Sequence, residues 1–292
     1  MRPTSFWILT LVLLGLLQAP VFGQAKKEPL PEPKKAPQKE VVPEPKNAAL
    51  PCGPSFKHLD GQMLVFVVNG VGGSTNVSDN LSELNTDKHL GLRIQTVPWA
   101  RHNAVFKDLV DNEAQLKAAA KIACSVAAIR RDAPNAHLFF VGHSAGARVV
   151  LAAAEMSPPR SIDRIIVLAP AVPSGYDLTA ALKATRYGID NFWSSEDGIL
   201  DGAAQHSRSA DALKGGAAGR VGFRLDSCDK RDIDAYRNVR QYRWTEDFNG
   251  SGGHLAWTLQ RNMKKVVVPL FFTAPCVEPL PVVIERKLPV VK

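Results

Sequence analysis

From Gln62 onward the chain alternates short, nearly continuous apolar runs with longer stretches in which apolar residues recur every three or four positions. Runs of the first kind suit parallel strands buried on both faces, and the stretches between them suit the helices that cover such a sheet. Six runs qualify: 63 to 70 (MLVFVVNG), 93 to 99 (RIQTVPW), 137 to 143 (HLFFVGH), 164 to 170 (RIIVLAP), 188 to 193 (GIDNFW) and a weaker 242 to 246 (YRWTE). Alanine-rich helical spacing fills 111 to 132, where Arg130 and Arg131 suit a helix C-terminus. Further helices are expected within 144 to 156 and over 254 to 265. The pattern predicts an α/β fold, a mostly parallel sheet with helices on both faces.

The first fifty residues follow a different pattern. Arg2 precedes the apolar run Phe6 to Leu17, and small residues follow around Gly23 and Ala25. This is the build of an export leader over 1 to 23, since the run is shorter than the roughly 20 residues a spanning helix needs. Residues 24 to 51 are dominated by Lys, Glu and Pro, too polar to bury a core and inclined to extended polyproline conformation. They predict a disordered linker before a folded domain spanning 52 to 280 and a tail over 281 to 292. A leader implies a secreted or envelope-held protein, with the linker as a tether and loose association with an envelope or membrane surface as one outcome.

Charge adds little. The chain carries 36 Lys and Arg against 28 Asp and Glu, a formal net charge of +8, but the basic residues are scattered, with no basic block interleaved with aromatics, and nucleic acid is not an expected partner. Cys52, Cys124, Cys228 and Cys276 form no C-x-x-C pair and no zinc spacing, so neither metal nor redox cofactor is expected. In an exported protein they could form disulfides, and Cys52 and Cys276 sit where a bridge would clasp the two ends of the folded domain. Asn76, Asn80 and Asn249 each begin an N-x-[ST] match, which matters only where the host glycosylates exported proteins.

The chemistry concentrates at Gly142-His143-Ser144-Ala145-Gly146, a G-x-S-x-G between a strand and a helix. A serine at so sharp a turn is held in a strained conformation with its hydroxyl over the sheet's carboxyl edge, and the flanking glycines let strand and helix pass closely. The loop after the first strand, Asn69-Gly70-Val71-Gly72-Gly73-Ser74, is also glycine-rich. It lacks the G-K-[ST] of a phosphate loop, and no acid ends the next strand as a dinucleotide fold would want.

On the elbow GHSAG, the loop NGVGGS, and an acid and a histidine in the order nucleophile, acid, base, the segment from about Gln62 to Phe272 resembles the α/β-hydrolase family of esterases, lipases and related acyl-transfer enzymes. The resemblance implies Ser144 as nucleophile and His254, in the glycine-rich NGSGGHLAW, as base. It implies Asp197 as the acid after GIDNFW, with Glu196 and Asp201 as alternatives. It also implies an oxyanion hole from the N–H of Ala145 and one from Val71 or Gly72, although Asn69 stands where the family usually has histidine. The side chain of His143, inside the elbow, is expected to turn away from the site.

The connection from Ala171 to about Tyr187 is too short for a large cap, so a small cap or none is expected, with 198 to 238 available to fold over the mouth. Trp99, Trp193 and Trp244 fall near strand ends, where they could line an acyl pocket or simply pack. The implied activity is cleavage of carboxylic esters, from small molecules or lipids, through an acyl-enzyme on Ser144. Lipase, thioesterase, peptidase or acyltransferase activity would leave the same marks, and a catalytically silent binding module is the alternative of another class.

Overall fold

The computed structural model describes residues 55–100, 111–201, 216–224 and 233–273. The expected leader, linker and tail, and Cys52, Cys228 and Cys276 with the bridge expected between the first and last, lie outside these residues. Cys124 is an exposed free thiol.

Six parallel strands form one sheet in the order β2-β1-β3-β4-β5-β6. They are β1 (Met63–Val68), β2 (Leu92–Thr96), β3 (His137–His143), β4 (Arg164–Leu168), β5 (Ile189–Trp193) and β6 (Val239–Arg243). Helix α1 (Asn76–Lys88) follows β1, α2 (Asn112–Asp132) follows β2, α3 (Gly146–Glu155) follows β3 and α4 (Thr179–Ala184) follows β4. The strand alternation divides the core in two. Leu64, Phe66 and Val68 of β1, with Leu138 and Phe140 of β3, pack under α2, α3 and α4. Val65, Val67, Phe139 and Val141 face the other way, against Val77, Leu81 and Leu84 of α1 and the C-terminal segment with Trp257, Met263 and Val266.

Three features depart from the sequence pattern. Helix α1 has no counterpart in it, because NVSDNLSELNTDK is polar around a narrow apolar stripe of Val77, Leu81 and Leu84. The helix expected over 254 to 265 is instead a 3-10 turn (Ala256–Thr258), a short α turn (Gln260–Asn262), a π turn (Met263–Val267) and a second 3-10 turn (Val268–Phe271). His254 therefore sits in the turn that precedes these pieces.

The sixth strand begins at Val239, three residues before the expected YRWTE, because Arg240 and Gln241 disguise it and both are paired inside the fold. Arg240 makes two hydrogen bonds to the fully buried Asp190 of β5, at 2.7 and 2.8 Å, joined by Arg164 at 2.9 Å and the Tyr242 hydroxyl at 2.9 Å. The Gln241 side chain accepts from Asn191 on β5 at 3.1 Å and donates to the carbonyl of Phe223 at 3.0 Å. Asn191 also donates to the carbonyl of Ala218, so segment 216–224, with helix α5 (Ala218–Val221), is bound to the middle of β5 and β6.

Asp190 carries the closure of β4, β5 and β6 at this point. Removing one partner from a buried charge cluster costs more than the cluster contributes, because the remaining charges stay desolvated. The variant Asp190→Ala is expected to lose roughly 3–5 kcal/mol of unfolding free energy in urea denaturation. A loss below about 1 kcal/mol would mean that Arg164 and Arg240 reach water in the native state.

Candidate active site

The turn that carries Ser144 is fixed by sterics. Ser144 has φ of +54°, in the left-handed region, at a cost of roughly 1–2 kcal/mol for a residue with a side chain. A Cβ on Gly146 would lie 2.3 Å from the Val68 carbonyl oxygen and 2.5 Å from that of Asn69, and one on Gly142 would lie 2.6 Å from Val150 and 2.7 Å from the Ala147 Cα. Helix α3 thus starts in contact with the end of β1, and only glycine fits on either side of the serine. Main-chain bonds hold the strained residue: the Ser144 N–H donates to Leu168, and its carbonyl accepts from Ala147 at 3.1 Å and Ala171 at 3.0 Å.

Three of the residues named from the sequence form one hydrogen-bonded chain. His254 Nε2 lies 2.9 Å from Ser144 Oγ, and His254 Nδ1 lies 2.7 Å from Asp197 Oδ2. Asp197 is fully buried, and its Oδ1 accepts the Leu200 N–H at 3.0 Å, so both oxygens are engaged and the carboxylate cannot swing away. The two alternative acids lie elsewhere. Glu196 is exposed and accepts from the Ser195 hydroxyl, and Asp201 pairs with Arg220 at 3.2 Å.

The loop after β1 is pinned from both ends. Asn69, where the resemblance would expect a histidine, plays a structural part, since its Oδ1 accepts from the N–H groups of Val77 and Ser78 and its Nδ2 donates to Ser78 Oγ at 3.0 Å. It therefore caps α1, whose own N-cap residue, Thr75, makes no side-chain cap bond. The Trp99 indole donates to the Asn69 carbonyl at 2.9 Å. Gly70 passes directly over the elbow, since a Cβ on it would lie 3.2 Å from both Ser144 Cβ and His143 Nδ1. Val71 and Gly72 follow half-buried, with Gly72 and Gly73 both at positive φ. The Ala145 N–H opens α3, where the first amides of a helix have no intrahelical acceptor and attract negative charge.

The tryptophans divide. Trp99 clamps the β1 loop, as described. The Trp193 carbonyl accepts from the Trp257 indole at 3.1 Å, and the Trp244 ring lies against Gly252, where a Cβ would come within 2.6 Å. These two support the loop that carries His254. Among the described residues no cluster of His, Cys, Asp and Glu is arranged to hold a metal ion, and no helix is long and apolar enough to cross a membrane.

His143 departs from expectation. Its side chain turns towards the site, with Nε2 3.3 Å from the main-chain carbonyl of His254 and the two rings 5.0 Å apart. The signal was present in the strand period, because His143 continues the face of Phe139 and Val141 that the C-terminal segment covers. Burial, followed by the nearness of His254, pushes its pKa down to about 3. A histidine that is neutral when folded and free to protonate when unfolded makes stability fall as pH drops below about 6.5, by up to roughly 1.4 kcal/mol per pH unit until the folded group itself titrates. The pH dependence of unfolding free energy between 4 and 6 is expected to be shallower by about one proton in His143→Gln. An unchanged slope would mean that the ring is charged in the native state.

No family model and no curated protein matches the sequence. Solved structures similar in arrangement include LpqC, a poly(3-hydroxybutyrate) depolymerase from Bordetella parapertussis, at 15% identity, 73% of this chain, 79% of that one and a TM-score of 0.46. A dienelactone hydrolase from Anabaena variabilis is similar at 13% identity, 72% of this chain, 83% of that one and a TM-score of 0.42. Esterase PE8 is similar at 16% identity, 69% of this chain, 88% of that one and a TM-score of 0.41. In this chain's own geometry, a parallel sheet carries a strained serine after its third strand, a buried acid after the fifth and a histidine after the sixth, and that arrangement is the α/β-hydrolase fold.

Proposed function

We propose that the protein is a serine hydrolase that cleaves carboxylic esters through an acyl-enzyme on Ser144. The observation that carries the reading is the chain Ser144 Oγ, His254 Nε2, His254 Nδ1, Asp197 Oδ2, with both contacts at hydrogen-bond length and the acid fully buried. With its proton on Nδ1 and donated to Asp197, the neutral imidazole presents the Nε2 lone pair to the serine hydroxyl.

In the acylation step Ser144 Oγ bonds to the ester carbonyl carbon while its proton passes to His254 Nε2, and the carbonyl π electrons move onto oxygen. The Ala145 N–H and an N–H of the Val71–Gly72 segment stabilise that oxyanion; each such donor contributes about 3 kcal/mol. Collapse breaks the bond to the alcohol oxygen, which leaves with the proton from His254. Water then repeats the sequence, giving its proton to His254 and its oxygen to the acid product, and Ser144 recovers its hydroxyl proton. Asp197 stays ionised throughout and stabilises the imidazolium.

Esters, small or lipid-like, are the substrate class that the reading favours, and the site works without a cofactor. The leader-like first 23 residues and the Lys/Glu/Pro segment support export, with the catalytic domain free or tethered at an envelope.

An active-site fluorophosphonate is expected to modify the wild-type protein at Ser144, as read by peptide mapping, and to leave Ser144→Ala and His254→Ala unmodified. Hydrolysis of p-nitrophenyl acetate is expected to fall by roughly 10⁴-fold or more in both variants, and by a comparable factor in Asp197→Asn, which would favour the wrong tautomer. A folded wild-type protein that neither labels nor turns over esters would leave the silent binding module as the better reading.

A further inference from the structure

The base sits on a segment with little stiffness of its own. Residues 249–253 read Asn-Gly-Ser-Gly-Gly, and Gly250 and Gly252 take φ of +89° and +73°. Chain of this composition gains its position from what holds it. The Asn262 side chain holds the two flanks, accepting from the Asn249 N–H at 2.9 Å and donating to the carbonyls of Asn249 at 2.9 Å and Ala256 at 2.8 Å. Asp197 holds the His254 ring by its Nδ1. The main chain of His254 itself is held by His143.

That contact has a defined polarity. A carbonyl oxygen can only accept, so the hydrogen bond from His143 places its single proton on Nε2 and leaves Nδ1 as a bare acceptor. Nδ1 is buried without a partner beneath Gly70. The titratable group that faces the ring is His254, and the ring stays neutral, as its depressed pKa requires. A second positive charge 5.0 Å from His254 would oppose the imidazolium that ester cleavage creates.

We propose that His143 is a positioning residue for the base, its Nε2–H holding the His254 carbonyl and so tying the base loop to the residue next to the nucleophile. Because His143 and Ser144 are adjacent, the hydrogen bond ties the main chain of the base to the turn that carries the serine by a short covalent path. The 2.9 Å separation of Ser144 Oγ and His254 Nε2 is then set from two sides, by Asp197 through the ring and by His143 through the backbone. The proposal rests on the serine-hydrolase reading, and it accounts for a polar side chain in the elbow at a position buried to 2% exposure.

The test compares His143→Gln, whose amide can donate from nearly the same place, with His143→Leu, which fills the space and donates nothing. With ester hydrolysis as the readout and fluorophosphonate labelling of the wild-type protein as the control, the leucine variant is expected to lose about tenfold or more in kcat with KM little changed. The glutamine variant is expected to stay within about threefold of wild type. Leucine matching wild type, or glutamine falling as far as leucine, would overturn the proposal. A measurement that needs no folded leucine variant is the ¹⁵N imidazole spectrum of the wild-type protein between pH 6 and 8, with the His143 resonance assigned by its loss in the glutamine variant. A neutral ring protonated at Nε2 is the expected result, and protonation at Nδ1 would also overturn the proposal. Failure of the wild-type protein to label would count against the hydrolase reading and leave the tautomer result to stand by itself.

Discussion

Everything at the site depends on how closely α3 crosses the end of β1. Gly146 rests on the carbonyls of Val68 and Asn69, and Gly142 lies beneath Val150 and Ala147. A helix that starts so near the sheet forces the intervening residue into the left-handed region, and Ser144 occupies that position. The strain persists because it is over-determined, with bonds from Leu168, Ala147 and Ala171 fixing the serine's own amide and carbonyl. The next loop repeats the device: Ala169 also has positive φ, its N–H donates to Phe192, and Gly219 packs against its carbonyl carbon. Rigid backbone at two adjacent strand ends lets the serine hydroxyl meet a histidine brought from more than a hundred residues away in sequence.

Two sets of buried polar groups sit at opposite ends of the strands. At the amino ends, Asp190 with Arg164, Arg240 and Tyr242 serves one face, while Asp163 on the other accepts from the Leu138 N–H at 2.7 Å and faces Arg130 and Arg186. These clusters join neighbouring strands and helices, and their work is registration of the fold. At the carboxyl ends lie Ser144, Asp197 and His254, with Asn69 and Trp99 holding the loop above them. Ligand sites of open parallel sheets belong at that edge, where strands end and helix N-termini face the same space.

Much of this was legible in the sequence, for physical reasons. The runs of β1, β3, β4 and β5 were legible because strands buried on both faces carry almost uninterrupted apolar residues, as Phe139, Phe140 and Val141 do. The elbow was legible because close packing leaves glycine as the sole option at two positions. Other features were hidden where polar side chains take part in the interior. Arg240 and Gln241 look like surface residues until Asp190 and Asn191 are placed beside them, and Asn69 looks like a lost family histidine until it is seen capping α1. Helix α1 escaped because its stability comes from three buried apolar residues and that distant cap, neither of which makes a strong local pattern. The choice among Glu196, Asp197 and Asp201 was likewise open, since three carboxylates within six residues differ only in where the turn points them.

The glycines around His254 bear on how its ring keeps its aim. Gly252 is required by the Trp244 ring, which leaves no room for a Cβ, so the flexibility of the loop is a consequence of packing it tightly against β6. Such a loop cannot orient an imidazole by its own dihedral preferences, and orientation has to be imported. Asp197 supplies it to the ring from the β5 end, where burial keeps the carboxylate free of competing water, and its second oxygen is spent on the Leu200 amide. The ring contacts, Nδ1 to Asp197 and Nε2 to Ser144, act on the side chain and leave the glycine-flanked main chain to be held separately. The main chain takes a restraint of its own, because the His254 carbonyl lies 3.3 Å from His143 Nε2. The donor sits on the residue before Ser144, so the restraint on the His254 main chain runs through the same turn that holds the serine.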